Sequence, residues 1–174
     1  MKTTGPTWSV PRWSGDGVRY IVSACLAGVS CRYDSGHSRN EEVARLVRDG
    51  KALPACPEQL GGLPTPRPPA EFRRGDGREV LSGRADVADG SGRTVTDSFL
   101  KGAIEFTRLA KAFGAKEAVL KDRSPSCGPR RVYIDGHLRG GRGVAAALLE
   151  AEGVTLLSPS GLKRPPAGRG RSGK

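Results

Sequence analysis

Four cysteines, Cys25, Cys31, Cys56 and Cys127, are the side chains of this 174-residue chain best suited to chemistry. In a cytosolic chain they stay as thiols, which favours metal binding or catalysis over disulfides. A cytoplasmic location is expected, because residues 1–17 carry Pro6, Pro11 and Gly15 where a secretory signal needs an unbroken apolar run. Spacing alone is uninformative: 5, 24 and 70 residues separate successive cysteines and no pair forms C-x-x-C. Three converging thiolates would hold either zinc with an open position or an iron–sulfur cluster with one iron free of protein. The competing reading makes Cys25 and Cys56 small buried apolar residues, a common fate of free cysteine. His37 and His137 lack partners at ligand spacing and read as surface or turn residues.

The cysteines converge only if the right elements carry them. VRYIVSAC (18–25) reads as a buried strand running into a loop. NEEVARLVRDG (40–50) reads as a helix, with Asn40 as N-cap, acids in the first turn and Gly50 at the end. ALPAC (52–56) is a second strand, and the five prolines of 57–77 predict irregular loop. Residues 77–96 alternate around glycines as a hairpin or two extended pieces. A buried helix follows, capped at Asp97 or Ser98, with Phe99, Leu100, Ala103, Ile104, Phe106, Leu109, Ala110 and Phe113 at helical spacing before Gly114. Then come a strand at 115–122, an extended piece at RVYIDG (131–136), a helix at 143–153 and a last strand at 154–159. The fold class is α/β: a single domain with a short, mainly parallel sheet of four or five strands flanked by helices. In such a sheet Cys25, Cys56 and Cys127 follow three strands whose carboxyl ends share one edge, where these folds bind ligands.

The segments SACLAGVSCRYDSG (23–36), ACPEQLGGLPTPRPPAEF (55–72), LKDRSPSCGPRRVYIDG (120–136) and GRGVAAALLEAEGV (141–154) resemble, in order, those of a bacterial family whose characterised members are thiouracil desulfurases. The resemblance covers about residues 20–160. It implies a [4Fe-4S] cluster on a Rossmann-like domain, held by three cysteines, with the fourth iron open to the sulfur of a thiocarbonyl. Matched segment by segment, the ligands are Cys25, Cys56 and Cys127. Cys31 is an extra, redox-sensitive thiol, since a fourth thiolate would close the iron that the chemistry needs. A Lewis-acidic iron draws electron density from C=S so that water adds at carbon, and a general base must activate that water. Glu58 is the first candidate; its alternative roles are capping the Gly61–Gly62 turn or pairing with a nearby arginine. Ser124, three residues before Cys127, is placed to hold the substrate, as the resemblance also implies. Arg67, in a loop restricted by prolines and with Glu71 orienting it, is the stronger candidate for binding an anionic substrate group, ahead of Lys121 and Arg123, which border the Cys127 loop.

Thiouracil-type free bases and thiouridine monophosphates offer the same C=S group. Of the net charge of +11, five units fall on 163–174, one on 1–17 and five on 18–162, so the body favours an anionic ligand without demanding nucleic acid. Thiolated RNA is an alternative substrate, and a zinc- or cluster-stabilised RNA-binding module a non-enzymatic alternative. The tail, however, has no aromatic residue to stack on a base. Residues 1–17 read as a flexible arm, 18–160 as the domain and 161–174 as a disordered basic tail. RGGRG (139–143) lacks nucleotide-fingerprint spacing and reads as a turn. No run reaches the roughly 20 apolar residues that a membrane span needs.

Overall fold

The computed structural model of the protein describes residues 17–162. Strand β1 (Tyr20–Ser23) lies at the heart of a four-stranded parallel sheet, between β2 (Ala52–Ala55) and β5 (Glu117–Val119), with β8 (Thr155–Leu157) outside β5. Helix α1 (Glu41–Arg48) links β1 to β2, and its Asn40 cap accepts from Val43 N–H at 3.1 Å, as expected. Strand alternation sends Ile21 to one face and Val22 to the other, and each joins a separate core.

The Ile21 core is the larger. It is closed by α4 (Thr96–Ala112) and α5 (Val144–Ala151), with Phe99, Phe106 and Leu149 fully buried, each worth about 1.5–3 kcal/mol. Helix α4 starts at Thr96 rather than Asp97 or Ser98, and Thr96 Oγ1 accepts from Val87 N–H at 3.0 Å. Ile104 and Phe113, expected in its buried face, are exposed. The Val22 core lies beneath α1 and contains Cys25 and Cys31.

A second four-stranded sheet, absent from the sequence expectation, faces the same large core. Its order is β4 (Asp86–Asp89), β3 (Ala70–Arg73), β6 (Arg131–Ile134), β7 (His137–Gly140). Both of its outer pairs are antiparallel and only β3–β6 is parallel. The expected irregular loop at 57–77 instead holds α2 (Pro57–Leu60), with Pro57 at a first-turn position, and β3. The expected hairpin or pair of extended pieces at 77–96 begins instead with α3 (Gly77–Leu81), held by a reciprocal capping box between Asp76 and Glu79; β4 follows, and a short antiparallel return through the Ala88–Thr94 bridge supplies the hairpin. The expected turn at 139–143 is partly strand, because Arg139 and Gly140 pair with Val132 and Arg131. Residues 1–16 and 163–174, with most of the predicted arm and tail, lie outside the described residues; Leu162 packs against the Val22 core.

Candidate active site

The carboxyl ends of β1, β2 and β5 open onto a cavity of about 320 Å³, and all four cysteines line it. Cys25 sits in a turn (Ala24–Ala27) directly after β1. That turn ends at Gly28, whose φ of +98° favours glycine, and the chain then folds back so that Ser38 N–H reaches Cys25 O at 2.9 Å. Cys31 lies on this returning loop. Cys56 is the cap residue between β2 and α2, and its Sγ donates to Cys31 O at 3.9 Å. Cys127 is carried by the loop after β5.

Ser124 builds that loop. Its Oγ accepts from the N–H groups of Ser126 (3.2 Å) and Cys127 (3.0 Å), so both lone pairs are used and the hydroxyl proton remains to be donated. Ser23, at the end of β1, was not singled out from sequence although it stands in the same SAC segment as Cys25. It is buried and accepts from Lys121 N–H at 3.0 Å.

Glu58 and Arg67 form a buried ion pair with 2.7 Å between Arg67 Nε and Glu58 Oε2, their side chains 16% and 5% exposed. Arg67 Nη1 donates to Pro64 O and Thr65 Oγ1, and Nη2 to Cys31 O at 3.0 Å. The Arg67 backbone N–H adds a bond to Tyr33 O at 2.9 Å. Four guanidinium N–H bonds are thus committed to organising the site, and one remains. Glu71, expected to orient Arg67, does not: it accepts from Gly136 N–H and pairs with Arg73. Alternation on β3 explains this, because Phe72 points into the core and Glu71 to the opposite face.

Lys121 and Arg123 also line the cavity, with Lys121 Nζ donating to Asp122 O at 2.9 Å. Arg32, which sequence reasoning passed over, joins them. His37 and His137 are exposed, with Nδ1 near Arg39 N and Asp135 O respectively, away from the cavity.

Thiol packed against thiol disfavours ionisation. The hydrogen bond with Cys25 pushes the Cys31 thiol up to about 11, although Cys56 opposes it. Cys56 is raised by its hydrogen bond with Cys31 and by burial, and Cys127 is raised chiefly by burial, which Ser23 partly offsets. Binding a cationic metal group here must therefore release protons.

A family model described as 2-thiouracil desulfurase matches residues 20–160. The uncharacterized protein YbbK of Bacillus subtilis (strain 168) is 42% identical over 145 residues, which cover 82% of this chain and 96% of YbbK. A solved structure of the [4Fe-4S]-dependent thiouracil desulfidase TudS (DUF523Vcz) superposes with a TM-score of 0.70 at 41% identity, covering 81% of this chain and 90% of that one.

Proposed function

Because this chain belongs to the 2-thiouracil desulfurase family, we propose that Cys25, Cys56 and Cys127 carry its iron–sulfur cluster and that Glu58 and Ser124 serve the reaction beside it. Its activity is iron–sulfur-dependent thiouracil desulfuration. Thiouracil and water give uracil and hydrogen sulfide, with no net electron transfer. The observation that carries the residue assignment is that three parallel strand ends deliver these groups into one cavity.

The donors suit the group. Four thiols and no histidine line the cavity, and soft sulfur is the donor of iron–sulfur chemistry. When bound, a [4Fe-4S] cluster with three protein ligands supplies an open iron that polarises a thiocarbonyl through sulfur.

The protein's own groups do the rest. Arg67 occupies Oε2 of Glu58, leaving Oε1 to take a proton from water. The Ser124 hydroxyl, its acceptor sites filled by the Cys127 loop, donates to a carbonyl oxygen or ring nitrogen of the substrate. Cys31 stays off the cluster as a spare thiol. Lys121 and Arg123 border the cavity, while Arg67 has one donor left, so phosphate recognition falls more to the first two than to Arg67. Free thiopyrimidines and their monophosphates are the substrate class, ahead of thiolated RNA. We place the protein in the cytoplasm, where four free thiols stay reduced; no described helix is long and apolar enough to cross a membrane.

The test is sulfide release by the anaerobically reconstituted protein from 2-thiouracil, 4-thiouracil and the corresponding nucleotides. Release with an intact cluster is expected. None from any of them would overturn the assignment, and equal kcat/KM for base and nucleotide would rule out recognition of the phosphate.

A further inference from the structure

Five large apolar or aromatic side chains are exposed among the described residues, and two of them, Tyr33 (42%) and Tyr133 (39%), line the cysteine cavity. They arrive from unrelated parts of the fold. Tyr33 belongs to the loop between Cys31 and α1, whereas Tyr133 is on β6 of the second sheet. Neither placement is a by-product of core packing. On β6 the neighbours Val132 and Ile134 both join the large core, so alternation turns Tyr133 outward, towards the cavity.

Tyr33 is held firmly. Arg67 donates to Tyr33 O through its backbone N–H and to Cys31 O through its guanidinium, fixing the chain on both sides of Arg32. The Arg32 guanidinium lies 5.6 Å from the Tyr33 ring centroid and is itself held by Ser38 Oγ at 2.8 Å. A pre-positioned aromatic ring loses little entropy when a ligand covers it. Two aromatic rings thus line one cavity, Tyr33 with the Arg32 guanidinium over its ring.

We propose that Tyr33 and Tyr133 are specificity-determining residues that stack on the planar heterocycle, selecting aromatic thiocarbonyls over open-chain ones. Their role rests on the desulfurase reading of the cavity and adds to it an interaction that is independent of the reacting sulfur. Stacking does not touch the C=S carbon, so it sets binding more than turnover. Each ring should strengthen base binding by about fivefold or more.

The experiment uses the cluster-loaded protein and measures the affinity for uracil, the product base, by equilibrium dialysis, alongside KM and kcat for thiouracil. Tyr33→Ala and Tyr133→Ala are each expected to weaken uracil binding and raise KM by about fivefold or more, with kcat within about twofold and the iron content unchanged. Tyr→Phe at either position should restore wild-type binding, because the ring and not the hydroxyl is used. Should an alanine variant lose iron, Tyr→Leu at that position gives the same comparison with apolar bulk retained and the π-face removed. Uracil binding unchanged in both ring-less variants, or lost equally in the Phe variants, overturns the proposal while sulfide release by the wild type keeps the desulfurase reading intact. Absence of sulfide release by the wild type overturns both.

Discussion

Arg67 holds the site together before it can bind anything, since four of its donors are committed to Glu58, Pro64, Thr65 and Cys31. Truncating it strands the Glu58 carboxylate and unpins Cys31, and breaking a buried pair costs about 3–5 kcal/mol. Arg67→Ala is expected to lose about 3 kcal/mol or more in chemical denaturation and to purify with less iron. Glu58→Gln keeps an acceptor for Arg67 and is expected to keep its iron while kcat falls about 100-fold; an unchanged kcat would reduce Glu58 to a partner of Arg67. Serine at Cys25, Cys56 or Cys127 should abolish iron binding, and serine at Cys31 should leave it. Because the Cys56 and Cys127 thiols are raised above their usual range, metal uptake by iron-free protein should speed up as pH rises from 7 to 9, with protons released. At this scale the sequence was informative but incomplete: Glu58 was open to pairing with a nearby arginine, yet Glu71 was assigned to Arg67, because β3 and its alternation lay hidden among prolines.

The element that delivers Cys56 and Glu58 is one helical turn, α2, and its position depends on two glycines. A Cβ on Gly61 would lie 2.0 Å from Ser98 O of α4, and one on Gly102 would lie 2.0 Å from Pro57 O of α2. Backbone therefore meets backbone, and any side chain must push α2 away from α4. Gly102→Ala is expected to cost about 1–3 kcal/mol and to reduce iron content, whereas Ile104→Ala, on the exposed side of the same helix, should stay within about 0.5 kcal/mol. Thermal denaturation with iron analysis checks both. Elements with their own periodicity, such as α1, α4 and α5, were legible, as was β1, whose apolar run is buried on both faces. Of the second sheet, β6 and β4 fall on expected extended pieces, but β7 and β3 were not legible, because β7 has only Leu138 half-buried and β3 starts just after Pro68 and Pro69, so pairing rather than pattern defines them. Helix α3 did carry a signal, Asp76 three residues before Glu79, which the surrounding glycines masked.

For the whole molecule the open question is whether its positive charge serves the cavity or another partner. Five of the eleven units reside on residues 163–174, while Arg32, Lys121 and Arg123 place cations at the cavity itself. Charges further away than about 8 Å are largely screened at physiological ionic strength, so the cations that line the cavity are placed to act on a bound phosphate. Removing residues 163–174 leaves a net charge of +6 and every described cavity-lining residue in place. We expect kcat/KM for thiouracil and for thiouridine monophosphate to stay within about twofold of the full chain, with a salt dependence that the deletion does not alter. A protein acting on thiolated RNA would behave differently, because each phosphate that the tail no longer neutralises keeps its counterion, and the slope of affinity against salt flattens. Parallel titrations of a thiolated oligoribonucleotide and of the monophosphate, with and without the tail, separate the two. A deletion that spares the monophosphate but weakens the oligonucleotide about tenfold would make RNA the substrate that the tail recruits.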